Sequence, residues 1–179
     1  MTTYLDGSIE GWMGRDELIW LYEMASTMNS VVEVGCWKGR STRALLEGCK
    51  GTVHAVDHFQ GSPGENRNEG DPHYEAKLVD IYSVFIKNLM RYSNLVVHKM
   101  PSHHAANYVL NQGKSIDMVF LDGAHDRDSI EEDLDCWTPI ASKIICGHDY
   151  EQADVGEATR NKFGSSLQTY GRIWYYLIG

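Results

Sequence analysis

The sequence predicts an α/β fold: a three-layer αβα arrangement in which a doubly wound, mostly parallel sheet carries helices on both faces. Three observations predict it. Short apolar runs recur along the chain, stretches with helical spacing of apolar residues lie between them, and the tail breaks into two β-prone runs around a glycine. Strand and helix in alternation read as βαβ units, whose right-handed crossovers build a parallel sheet covered on both sides. A length of 179 residues suits one hydrophobic core, so a single domain spanning residues 1–179 is expected.

The segment Met1 to Arg15 is polar, acidic and glycine-containing, with no apolar run of the signal-peptide kind. The first strand is Val31–Val34, an apolar run interrupted only by Glu33, and Arg40–Glu47 has helical spacing behind it. Thr52–Val56 is the second strand. The stretch Phe59 to Pro72, rich in Gly, Asn, Glu and Pro, reads as a lid or as a plain surface loop at the carboxyl end of that strand. Tyr74–Arg91 is expected as a helix, Asn94–Val97 as the third strand, and Ser102–Asn111 as a helix with Ser102 as its N-cap. Ile116–Leu121 is the fourth strand, Asp128–Trp137 a helix capped by Asp128, and Lys143–Cys146 the fifth strand. Ser166–Tyr170 and Arg172–Ile178, separated by Gly171, are expected to close the fold as a hairpin.

Charge and cysteine usage narrow the partners. A formal net charge of -9 leaves no basic face to neutralise nucleic-acid phosphates or an anionic membrane. Neither nucleic acid nor membrane is an expected partner, and no apolar stretch approaches the ~20 residues of a membrane helix. Cys36, Cys49, Cys136 and Cys146 contain no C-x-x-C pair, which favours a reducing, cytoplasmic setting.

Two motifs carry the chemistry. Val31-Val32-Glu33-Val34-Gly35-Cys36-Trp37-Lys38-Gly39-Arg40-Ser41-Thr42 is a strand entering a glycine-punctuated turn and a helix start. Glycine lets backbone approach a ligand, and the free N–H groups of the helix start attract negative charge. Asp57 ends the second strand, where a carboxylate can accept from both hydroxyls of a ribose. The spacing is G-x-x-x-G rather than G-x-G-x-x-G, and Glu33 lies inside the apolar strand, where a carboxylate is costly without a cationic partner.

This pattern resembles motif I of S-adenosylmethionine-dependent methyltransferases, in which the strand acid lies near the methionine end of the cofactor. The resemblance extends through Ser115-Ile116-Asp117-Met118-Val119-Phe120-Leu121-Asp122-Gly123-Ala124-His125, Asp133-Leu134, Trp137 and Pro139 to Gly147-His148-Asp149-Tyr150. Over about residues 30 to 155 the chain is similar to the small-molecule O-methyltransferases that include macrocin O-methyltransferases and cephalosporin hydroxylase-like proteins. The resemblance implies seven strands in the order 3-2-1-4-5-7-6. It implies cofactor contacts from Glu33, Gly35, Trp37, Gly39, Ser41, Thr42, Asp57, His58, Phe59, Ser102 and Asp122, with Ser102 where the family contacts adenine. Ser102 as a helix cap is compatible with that role.

The same resemblance implies a divalent cation held by Asp122, His148 and Asp149, and catalytic roles for Asp122 and for His125 as base. His148 stands where the metal-dependent members often have an acid, which shifts the expected ion from magnesium toward manganese, iron or zinc, or leaves the site without a metal. Asp149 alternatively caps a helix beginning near Asp154, Asp122 braces a strand end, and His125 is a polar surface group. His148 and Asp149 converge on one ligand only if their strand has already ended.

The implied reaction is methyl transfer to a hydroxyl of a small polar metabolite or sugar. Two rivals stand beside it. A nicotinamide-dependent oxidoreductase would use the same crevice, although the glycine spacing and the lack of a Tyr-x-x-x-Lys pair oppose it. A cofactor-binding module without turnover would suit a chain with only Met1 to Asn29 ahead of the first strand. Self-association is expected, a partner subunit supplying the missing substrate wall.

Overall fold

The computed structural model describes residues 3–61 and 72–179. Seven strands form one sheet in the order β3-β2-β1-β4-β5-β7-β6. They are β1 (Ser30–Val34), β2 (Thr52–Val56), β3 (Leu95–His98), β4 (Ile116–Leu121), β5 (Ala141–Gly147), β6 (Gln168–Tyr170) and β7 (Ile173–Leu177). The first five run parallel, and β7 pairs antiparallel with both β5 and β6. The order and the closing hairpin agree with expectation. Gly171 makes the tight turn of that hairpin with φ 58°, a left-handed backbone that glycine adopts without penalty.

Among the described residues six α-helices, α1 (Arg15–Ala25), α2 (Arg40–Gly48), α3 (Ile81–Leu89), α4 (Ser102–Asn111), α5 (Arg127–Trp137) and α6 (Ala153–Phe163), cover the sheet. The period of two along the strands sorts the core. Val31, Met118, Phe120 and Ile144 pack with Leu18, Leu21, Leu45 and Phe85 of α1, α2 and α3. Their neighbours Val32, Val119, Leu121 and Ile145 pack on the opposite face with Val109, Leu134, Trp137 and Val155 of α4, α5 and α6. Three layers result.

Several local expectations are corrected. The stretch read as one helix over Tyr74–Arg91 is a 3-10 helix, Pro72–Lys77, followed by α3. Asp80 separates them because its side chain accepts from the Ser83 N–H, at 3.2 Å, and so opens a new helix. The N-cap of α5 is Asp126, not Asp128, its extended backbone and carboxylate receiving the Ser129 N–H at 3.2 Å. Pro101 is the N-cap of α4, and Ser102 turns its hydroxyl elsewhere. Helix α1 was not anticipated. The proposed lid, Phe59 to Pro72, lies largely outside the described residues.

All four cysteines are free, with Cys36, Cys49 and Cys146 buried. Among the described residues no helix is long and apolar enough to cross a membrane.

Candidate active site

A cavity of about 520 Å³ opens at the carboxyl ends of β1, β2, β4 and β5. Its floor is the glycine loop. Gly35 has φ 83°, and a Cβ there would lie 2.0 Å from the carbonyl oxygen of Asp122, so only glycine lets β1 and β4 close together at their tips. Gly39, at φ 93°, is the N-cap of α2 and sits against Leu89 and Phe85.

Asp57, at the tip of β2, holds this loop. One carboxylate oxygen accepts from the backbone N–H groups of Cys36 and Trp37, at 2.8 and 3.0 Å, and the other from Phe59 at 2.6 Å. A carboxylate has about four lone-pair sites, so hydroxyl donors can still reach it from the cavity it lines. Of the other residues expected to touch a cofactor, Gly35, Trp37, Ser41, His58, Phe59, Ser102 and Asp122 line the cavity, whereas Glu33, Gly39 and Thr42 lie behind its wall. Phe59 is also a packing residue, its ring 5.2 Å from those of Tyr82 and Phe85.

Glu33 is fully buried, and neither of its carboxylate oxygens makes a hydrogen bond among the described residues. Burial pushes its pKa up to about 7, with the nearby Ser41 and Thr42 hydroxyls offsetting part of the rise and Asp122 adding to it.

The second constellation lies at the tips of β4 and β5. Because β5 ends at Gly147 and Asp149 takes φ 56°, the chain turns, and His148 and Asp149 come to the same side. One ligand atom each from Asp122, His148 and Asp149 falls within a span of 4.8 Å. His148 Nδ1 is 3.7 Å from Asp122 and 3.4 Å from Asp149, while its Nε2 meets Glu17 of α1 at 3.1 Å. His125 Nε2 is 2.9 Å from the other Asp149 oxygen, and Arg172 pairs with Asp149 as well.

Burial alone would raise the pKa of Asp149, but hydrogen bonds from His125 and His148 hold it far below the usual carboxylate range. Burial would lower His148, but Asp149, Asp122 and Glu17 push it up to about 9. Asp149 caps no helix with its side chain; α6 starts at the N-cap Gln152. His125 is half-buried in the cavity wall rather than a surface group.

Sequence reasoning missed Glu17, Arg172 and the N-terminal segment. Glu10, Gly11, Trp12 and Met13 line the cavity, so part of the wall assigned to a partner comes from this chain. Three cations tie the segment down. Lys38 Nζ bonds Glu10 at 2.7 Å and Glu75 at 2.6 Å, Arg40 donates to the carbonyls of Met13 and Ile9, and Arg43 reaches Asp6 and Ser8. The signal available was a run of three cations, Lys38, Arg40 and Arg43, around an otherwise small-residue turn.

A sheet of this order, with a glycine loop after its first strand and an acid after its second, is the class I arrangement of S-adenosylmethionine-dependent methyltransferases. Residues 32–150 match the family model described as a methyltransferase domain, and the chain belongs to that family. No curated protein sequence matches it. Among solved structures it is similar to the cofactor-bound Rv0187 from MTB, at 18% identity and TM-score 0.68, covering 98% of this chain and 86% of that one. The O-methyltransferase from Bacillus cereus in complex with SAH gives 13% identity and TM-score 0.66, with 99% and 87% covered. The apo structure of CalS11, TDP-rhamnose 3'-O-methyltransferase, an enzyme in calicheamicin biosynthesis, gives 17% and 0.60, with 90% and 77% covered. At these identities the likeness is one of fold.

Proposed function

We propose that this methyltransferase transfers the methyl group of S-adenosylmethionine to a hydroxyl oxygen of a small polar acceptor, such as a sugar or a sugar-bearing metabolite. The observation that carries the reading is the meeting, in one cavity, of the Asp57-braced glycine loop with the His125–Asp149 pair. The amino-acid arm of the cofactor would lie along Gly35 to Ser41 with Glu33 behind it, and the ribose on Asp57. His58 and Phe59 would line its side, and the adenine would reach toward Ser102.

The carboxylate of Asp149, 2.9 Å from His125 Nε2, would hold that imidazole in place and stabilise its protonated form as it takes the acceptor's proton. In the transfer the acceptor oxygen forms its bond to the methyl carbon as the sulfur–carbon bond breaks. His125 would take the hydroxyl proton, and the methyl donor, when bound, supplies an electrophilic carbon whose sulfur leaves as a neutral thioether. The protein's largest contribution is alignment of oxygen, methyl and sulfur.

The donor set also fits a divalent cation. Its members are spaced as ligands around one ion would be, and His148 has its second nitrogen oriented by a carboxylate, the usual support of a metal-bound imidazole. Asp122, His148 and Asp149 would hold it, and the mixed nitrogen and oxygen donors suit manganese, iron or zinc better than magnesium. When bound, such an ion supplies Lewis acidity that makes the acceptor hydroxyl easier to deprotonate.

The fold of the TDP-rhamnose 3'-O-methyltransferase supports a sugar-sized acceptor. Calorimetric titration with S-adenosylmethionine and S-adenosylhomocysteine tests the reading: both bind, and absence of binding at millimolar concentration defeats it.

A further inference from the structure

We infer that Asp133, rather than Ser102, reads the base of the cofactor, its free carboxylate oxygen accepting from the exocyclic amine of adenine. The inference rests on the methyltransferase reading above.

The strand order sets the direction of the ligand. With β2 between β1 and β3, a molecule anchored on the glycine loop and on Asp57 runs on toward the tip of β3, where Met100 and Ser102 line the cavity. Ser102 has little to offer there. A serine hydroxyl has one proton, and Ser102 Oγ gives it to Asp133 Oδ1 at 2.5 Å, while Ser102 Oγ itself accepts from the indole N–H of the fully buried Trp137 at 2.8 Å. The hydroxyl is a fixed bridge between α4 and α5.

That bridge leaves Asp133 Oδ2. Asp133 is 6% exposed and lines the cavity, and no hydrogen bond to Oδ2 occurs among the described residues. The oxygen lies 3.5 Å from where a Cβ on Gly123 would be, so it faces the glycine of the β4–α5 loop, which also borders the cavity. A carboxylate oxygen that borders the cavity in a residue only 6% exposed, with no donor from the protein among the described residues, is completed by a ligand N–H at this spot. The chemistry selected is a 6-aminopurine. A 6-oxopurine would set a carbonyl oxygen against the carboxylate and leave both unpaired, which is how a site built for an N–H donor rejects its analogue.

The test is titration calorimetry with S-adenosylhomocysteine and its 6-oxo counterpart, S-inosylhomocysteine. The wild type is expected to bind the adenosyl compound at least about 10-fold more tightly, the scale of one hydrogen bond to a charged group. In Asp133→Asn the amide oxygen can still accept from Ser102, while the amide nitrogen becomes a donor suited to the 6-oxo group. Its preference is expected to collapse or invert. A wild type that binds the two compounds equally overturns the inference without reference to any variant, as does an Asp133→Asn protein with undiminished preference. A wild type that binds neither defeats the methyltransferase reading itself, and this inference with it.

Discussion

His148 Nε2 lies 3.1 Å from Oε1 of Glu17, a residue 131 positions earlier in the chain. The other oxygen of Glu17 receives the Gly14 N–H at 2.7 Å, so one buried carboxylate both starts α1 and aims an imidazole at Asp122 and Asp149. Glu17→Gln is expected to weaken manganese binding by about 10-fold to 100-fold, the usual cost of losing a carboxylate behind a metal-bound histidine. Manganese EPR titration of the wild type and variant checks it. Equal affinities would show that Glu17 only caps its helix.

His125→Ala is expected to lower kcat by about 100-fold or more while leaving the dissociation constant of S-adenosylhomocysteine unchanged, because the role proposed for the imidazole concerns the acceptor proton and not the cofactor. Single-turnover methyl transfer together with calorimetry separates the two. A variant that turns over at the wild-type rate removes His125 from the reaction.

The pKa of Glu33 rises from 4.5 to about 7 on folding, chiefly through burial. Between those values the folded chain binds more protons than the unfolded one, so this contribution to stability is fully present below pH 4.5 and is lost as the pH passes 7. Glu33→Gln should therefore flatten the pH dependence of Tm and stabilise the ligand-free protein at pH 8 by on the order of 3 kcal/mol. The same change should weaken S-adenosylmethionine binding if, as proposed, the carboxylate stands behind the amino-acid arm as its counter-charge. Parallel Tm profiles for wild type and variant would contradict this account.

Lys38→Met removes the cation that joins Glu10 to Glu75. Limited proteolysis is expected to cut the segment ahead of α1 faster. The KM of the acceptor should rise, with the affinity for S-adenosylhomocysteine much less affected. Unaltered cleavage would mean that Arg40 and Arg43 suffice to hold the segment.

The fold was largely legible because strands buried on both faces announce themselves as apolar runs, and Val31–Val34 and Ile116–Leu121 did so. Boundaries were less legible where two polar residues compete to cap one helix, as Asp126 and Asp128 do, because the winner is set by backbone conformation rather than residue type. In the site, Asp57, Asp122, His125, His148 and Asp149 could be singled out because each sits at the tip of a strand or in the loop just beyond it. Glu17 and Arg172 could not, since they reach the same point from α1 and from the start of β7, and nothing local marks them. Asp133 was visible as part of a motif, but its free oxygen depends on the contacts of Ser102 and Trp137 in space.

The glycine loop passes in a few residues from Gly35 and Trp37, which line the cavity, to Lys38, Arg40 and Arg43, which grip the N-terminal segment. One short stretch of backbone thus lines the proposed cofactor pocket on one side and anchors the N-terminal wall on the other. The Trp37 ring also stands 5.5 Å from that of Trp12, so the loop and the segment meet through side chains as well as through charge. A substitution anywhere from Trp37 to Arg43 therefore bears on both walls of the cavity at once.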